Sequence, residues 1–177
     1  QKNLLFLESY KTDGHITEED IVQAIPKTLQ DNIFDLTQLI LAKKIDQARD
    51  LVRDLTLQGE DEIKLIAIML GQFRLYTQVK ILQESGQTES QMVSSLGHYL
   101  GRNPNPYQIK FALRDTRGLS LNFLQDSIRY LIQADYQIKT GVYEKNYLFE
   151  RALLQIASQS NWANILKKKV VCVIIFI

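Results

Sequence analysis

Three cations recur along NPYQIKFALRDTRG, at Lys110, Arg114 and Arg117, a spacing of i, i+4 and i+7. On a helix turning about 100° per residue they share one sector of roughly 60°. Ile109, Ala112 and Leu113 take the apolar side, and Tyr107 and Phe111 flank the cations. Such a stripe suits phosphates or an acidic protein surface, and it also suits plain solvation. A second group lies in QGEDEIKLIAIMLGQFRLYTQVK, residues 58–80, where Gln72, Arg74 and Lys80 interrupt an apolar stretch. With Ile63 placed at 0°, apolar residues fall in nearly every sector. A narrow polar stripe remains at about 60–100°, carrying Lys64, Gly71 and Gln78. Arg74 lies at its edge. Gln72 and Lys80 fall inside the apolar arc, so they must be paired within the fold, snorkel outward or face a partner. Gly71 costs about 1 kcal/mol relative to alanine unless a neighbour approaches it closely. The candidate partner or acidic-surface contacts are therefore Gln72, Arg74, Lys80, Tyr107, Lys110, Arg114 and Arg117. Asp135 and Lys139 are spaced i, i+4, acid first, and read as a surface ion pair.

Other chemistries lack their residues. The eight glycines are followed by His, Glu, Gln, Gln, His, Arg, Leu and Val, never by Lys, so no Walker-type phosphate loop is present, and there is no GxGxxG. One cysteine, Cys172, and two distant histidines, His15 and His98, cannot supply a four-ligand zinc site. A Ser-His-Asp site has no fixed spacing, but both histidines fall in polar turn or helix-surface contexts and read as solvated. The carboxylates alternate with bases, as in Arg49-Asp50 and Arg53-Asp54, the pattern of a solvated helix face. The expectation is a protein without catalytic residues, cofactor or metal.

The elements that position these residues read as helices throughout. Gly (8) and Pro (3) are scarce in 177 residues, which favours long helices over a many-turned sheet. Thr17 reads as the cap of a helix that Pro26 limits. Helices follow over about 32–42, with Ile33, Leu36, Leu39 and Ile40 on one face, and about 46–58, with Ala48, Leu51, Val52 and Leu55, ended by Gly59. The long apolar helix spans about 61–85. Thr88-Glu89-Ser90-Gln91 is a capping box opening a helix to about Leu100, stopped by Gly101. A helix over about 106–117 ends at Gly118. Ser120 opens another to about Thr140, with Leu121, Leu124, Ile128, Leu131 and Ile132 at helical spacing, closed by Gly141; the last runs over about 143–158. No solenoid repeat of about 34 or 40 residues is evident. The helices over about 88–100 and 106–117 could form a helix-turn-helix with the basic stripe on its second member. Their link, Gly101–Asn105, exceeds the usual three or four residues.

The net charge of +1 conceals a gradient: 8 bases against 13 acids over residues 1–70, and 10 against 7 over residues 71–157. That fits a surface with unlike ends more than a general nucleic-acid binder, which is usually strongly basic. A single cysteine is consistent with a reducing, cytoplasmic setting. No apolar run approaches the roughly 18 residues of a membrane span; the longest is Val170–Ile177. The chain begins at Gln1 rather than Met and reads as a fragment. The ending NWANILKKKVVCVIIFI is three lysines and a β-branched apolar run, and reads as vector-derived or frame-shifted.

Several segments together resemble a known family. DNIFDLTQLI (31–40), LQGEDEIKLIAIMLGQFRLYTQVKIL (57–82), LGRNPNPYQIK (100–110) and QADYQIKTG (133–141) resemble the C-terminal region of the delta subunit of the bacterial DNA polymerase III clamp loader. ITEEDI (16–21) resembles the segment just before it. The loop RNPNPY is longer than the family's compact Gly-x-x-Pro-Tyr, and the chain beyond about Ser160 matches nothing in it. The resemblance implies an all-α antiparallel bundle of about six to eight helices, the collar that assembles the loader ring placing the sliding clamp on primed DNA. It divides the chain into a remnant of an AAA+-like lid domain (1–26), the collar (27–159) and a non-family tail (160–177). It implies no catalysis by this region, and delta-prime and tau/gamma subunits as partners. The sliding clamp would be reached only through a domain upstream, DNA contact would be indirect, and no membrane is involved. The alternatives are a helix-turn-helix DNA-binding regulator and a generic helical adaptor.

Overall fold

The computed structural model describes residues 27–101 and 104–174, with side chains for all of these except residue 100 and residues 160–174. The Thr17 cap, the helix limited by Pro26, His15 and the Cys172 side chain lie outside the described residues. Residues 1–32 and 33–177 form two compact units. Of the first, residues 27–32 are described. There Thr28 and Asp31 cap one another, the Thr28 amide donating to Asp31 at 3.0 Å and the Asp31 amide to the Thr28 hydroxyl at 3.2 Å.

The described residues form seven helices and no strand: α1 Leu29–Leu41, α2 Ile45–Leu57, α3 Glu62–Glu84, α4 Glu89–Leu100, α5 Pro106–Asp115, α6 Leu121–Lys139 and α7 Lys145–Ile174. Local chemistry places most of their ends. At α4 the Thr88 hydroxyl accepts from the Gln91 amide while the Gln91 side chain accepts from the Thr88 amide, the reciprocal capping box expected. Ser120 caps α6 by accepting from the Phe123 amide at 3.1 Å. Gly101 ends α4 at φ 68°, a left-handed conformation that a side chain would strain. Helix α7 departs from expectation. Its end was placed near Ser158, yet the helix continues to Ile174. No glycine or proline follows Gly141, so nothing local stops it, and a β-branched run lowers helix propensity by only a few tenths of a kcal/mol per residue.

The long helix α3 is the centre of the bundle. It packs against α5, α6 and α7, while α6 also packs on α7, α4 on α5, and α2 on α7. Leu65, Ile66, Met69, Phe73, Tyr76 and Val79 of α3 are buried, together with Ile33, Leu36 and Ile40 of α1 and Leu124 and Leu131 of α6. Among the described residues α3 is also the one helix long and apolar enough to cross a membrane by length and composition. Its packing inside the bundle accounts for that apolarity. Two ion pairs tie the periphery. Arg49 of α2 meets Glu150 of α7 at 3.2 Å, and Lys145 of α7 meets Asp61, the α3 cap, at 2.7 Å.

Candidate interaction surfaces

The seven candidate residues lie in two different settings. Gln72 is paired within the bundle. Its Oε1 accepts from the fully buried Thr37 hydroxyl of α1 at 3.0 Å, and its Nε2 donates to the Tyr76 hydroxyl at 2.8 Å. The Tyr76 hydroxyl in turn donates to Oδ2 of Asp115, the last residue of α5, at 2.8 Å. Burial, and then the negative charge of Asp115, push the Tyr76 phenol well above the ordinary tyrosine range. A buried polar line thus joins α1, α3 and α5. Its members are satisfied, which is the condition for a polar group in a core not to destabilise it.

The same carboxylate reaches the surface. Asp115 Oδ1 accepts from Arg114 Nε at 2.8 Å, with the Asp115 side chain 2% exposed and that of Arg114 57% exposed. The Arg114 guanidinium lies 5.0 Å from the centre of the Phe111 ring, a cation–π distance, and Phe111 is tilted against Phe34 of α1 with ring centres 6.3 Å apart. Lys110 and Tyr107 are exposed on the same side, as the helical spacing requires; Arg117 is exposed too, but the helix expected over about 106–117 ends at Asp115 with its cap at Thr116, so Arg117 lies outside it. Sequence reasoning missed Asp115 and Tyr76. An acid beside an arginine reads as a solvated pair, and nothing local says that one of the two turns inward.

On α3, Arg74 is exposed and Lys80 half-buried, neither with an ion pair among the described residues. The open face is wider than the narrow polar stripe expected. Besides Lys64 and Gly71 it exposes Ala67 and Ile81, so it spans about 0–100° on the helical wheel. Burial follows which neighbours pack alongside α3, and among the described residues none covers this side: a Cβ on Gly71 would meet nothing of them within 4 Å. The Asp135–Lys139 pair forms on α6 at 2.8 Å. Tyr136, Tyr143 and Tyr147 are also exposed, the last two with ring centres 5.8 Å apart, and none of them was singled out by spacing. Among the described residues no cluster of His, Cys, Asp and Glu could hold a metal ion.

This seven-helix arrangement and its sequence match a known family. Residues 30–156 match the family described as DNA polymerase III delta subunit, C-terminal domain. The chain belongs to that family. The delta C-terminal domain described here is 32% identical over 145 residues to DNA polymerase III subunit delta of Bacillus subtilis (strain 168), covering 82% of this chain and 40% of that protein. Its fold is similar to that of the Bacillus subtilis DNA clamp loader delta protein, with a TM-score of 0.77 and 30% identity over 89% of this chain and 45% of that one. The chain therefore spans less than half the length of the relatives it matches. Helices α4 and α5 do pack together. The family match nevertheless accounts for residues 30–156 as a whole, and the helix-turn-helix alternative is set aside.

Proposed function

We propose that this delta C-terminal domain is an assembly module of a clamp loader, a collar that holds its subunit in the loader ring, and that it acts without catalysis of its own. The observation that carries this reading is the family match over residues 30–156, supported by a fold shared with a clamp loader delta protein. The partners are the collars of the delta-prime and tau/gamma subunits, in the cytoplasm, and any contact with the sliding clamp is made by a region upstream. Residues 1–26 belong to a preceding lid domain, 27–159 are the collar and 160–177 a tail outside the family. The mechanism is architectural: a rigid bundle presents side surfaces to two neighbours. The face of α3 on which Ala67, Gly71, Arg74 and Ile81 are exposed is one such surface.

Mixing this chain with delta-prime and tau/gamma collars, followed by size exclusion with light scattering, tests the reading. A species of summed mass at micromolar concentration is expected. The separate components eluting unchanged at those concentrations would overturn it.

A further inference from the structure

The turn between α1 and α2 departs from the residue type its backbone favours. Lys43 takes φ 61°, the left-handed region that favours glycine, and is the one non-glycine to do so among the described residues. The Lys43 amide donates to the Ile40 carbonyl at 3.0 Å and the Lys44 amide to that of Leu39 at 2.9 Å, which closes α1 and fixes the turn. A groove runs beside this turn, between α1 and α2. Helix α1 supplies Asp35 and Leu39 to it, α2 supplies Asp50, Leu51 and Asp54, and Lys44 stands at the turn. On α1 the acid and the leucine are one turn apart, as are the two acids on α2, so each helix turns one face to the groove. Leu39 and Leu51 are half-buried and form an apolar floor, while Asp50 and Asp54 are exposed on the rim. The groove thus carries three carboxylates against one ammonium. Asp50 is tied to Arg53 at 3.0 Å, but both side chains are more than half exposed. Such a pair is worth little, so an incoming cation takes its place at small cost.

We propose that this groove docks a short basic amphipathic helix from a partner protein. Its apolar residues would lie on Leu39 and Leu51, and its lysines or arginines would face Asp35, Asp50 and Asp54. A groove with an apolar floor is the setting in which an amphipathic helix seats one face. The sign of the charge decides which helix. Like charges set against one another are unfavourable, so the three carboxylates repel an acidic helix or a nucleic-acid backbone. The groove also has a direction: Asp35 and Asp54 stand farthest from the turn on their helices, and Lys44 stands at it. The N-terminus of the incoming helix, its positive end, therefore belongs away from the turn. From Asp35 to the end of α1 at Leu41 is about 9 Å at 1.5 Å per residue, close to two turns. That length suits one short segment rather than the side of a whole bundle, so this contact is separate from assembly of the collar.

The test is fluorescence anisotropy of the 177-residue chain with a labelled peptide of leucine and lysine in helical amphipathic order, about fourteen residues or roughly four turns long. Two peptides serve as comparisons: the same composition in an order without a helical stripe, and the first order with glutamate for every lysine. The amphipathic lysine peptide should bind at least about tenfold more tightly than either, since only it offers both the apolar face and the positive charge. Asp50→Lys with Asp54→Lys should weaken it about tenfold or more, because two attractive pairs become repulsive. Gln47→Arg adds a cation to the lining with every carboxylate in place and should weaken binding about two- to fivefold. Glu84→Lys with Glu89→Lys makes the same change of net charge on α3 and α4 and should alter binding less than about twofold. Circular dichroism establishes that each variant keeps the helical fold. No binding of the amphipathic lysine peptide at about 100 μM protein and low salt overturns the proposal. A scrambled peptide bound equally well, or equal weakening by the Glu84 and Glu89 substitutions, overturns it too, since either marks attraction by net charge alone. Light scattering adds a further check. A dimer that Asp50→Lys with Asp54→Lys abolishes would assign the groove to a second copy of the chain and overturn the proposal as well.

Discussion

Tyr76 and Asp115, 39 positions apart in the chain, are joined by a 2.8 Å hydrogen bond in which a buried phenol donates to a buried carboxylate. The bond fixes the end of α5 to the middle of α3. Removing the hydroxyl with Tyr76→Phe leaves Asp115 Oδ2 and Gln72 Nε2 without their partner at nearly unchanged volume. The cost of such orphaned groups is about 1–3 kcal/mol, and the charge on Asp115 places it toward the upper part of that range. Urea denaturation of the two proteins measures it. A difference below about 0.5 kcal/mol, the size of an ordinary surface substitution, would show that the line of bonds contributes nothing.

The same group sets an alkaline limit. Burial holds the folded Tyr76 phenol above the ordinary value of 10.0. Above that pH the unfolded chain releases the phenolic proton while the folded chain keeps it. The stabilisation is complete below pH 10.0 and is lost as pH rises toward the folded value. Denaturation midpoints between about pH 8 and 11 should fall more steeply for the parent protein than for Tyr76→Phe. Parallel curves would contradict this.

At the acid end the relevant group is Asp61. The hydrogen bond from Lys145, followed by that from the Ile63 amide, holds its carboxyl below the ordinary value of 3.8. Its contribution is present above pH 3.8 and is lost as pH falls through the lower folded value. Asp61→Asn keeps a cap acceptor for α3 but removes the charge. Thermal melts at low salt should therefore show a shallower acid dependence in the variant, with the difference shrinking as salt screens the Lys145 pair.

Gly71 offers a test that separates folding from assembly. It lies mid-helix, and its missing Cβ would meet nothing within 4 Å. Gly71→Ala should stabilise the isolated chain by about 1 kcal/mol. A larger substitution, Gly71→Leu, should leave the fold intact and lower the yield of the mixed-collar species if this face is covered by a neighbouring subunit. Full assembly of Gly71→Leu would place the contact elsewhere.

Local features were legible because their causes are local. Thr88 and Gln91 lie three residues apart, and their bonds need no other part of the chain. Gly101 and Ser120 act at the positions where the helices end and begin. The order of helices and the apolar faces of α1 and α2 follow from spacing for the same reason. The end of α7 was not legible, since composition marks the tail as foreign without supplying a helix breaker.

Pattern alone determined that this chain is an all-helical bundle, that α3 is its central member, and that Lys110 and Arg114 lie one turn apart on α5. These follow from the 3.6-residue period and the placement of caps. Only the tertiary structure decided which polar residue of the apolar arc would be paired. Gln72 meets Thr37, which lies 35 positions away. Lys80, near the end of α3, is half-buried and makes no ion pair among the described residues. Only the tertiary structure, too, turned Asp115 inward and left Arg114 outside. Two adjacent residues on a helix point about 100° apart, and which of them meets Tyr76 is settled by how α5 packs on α3.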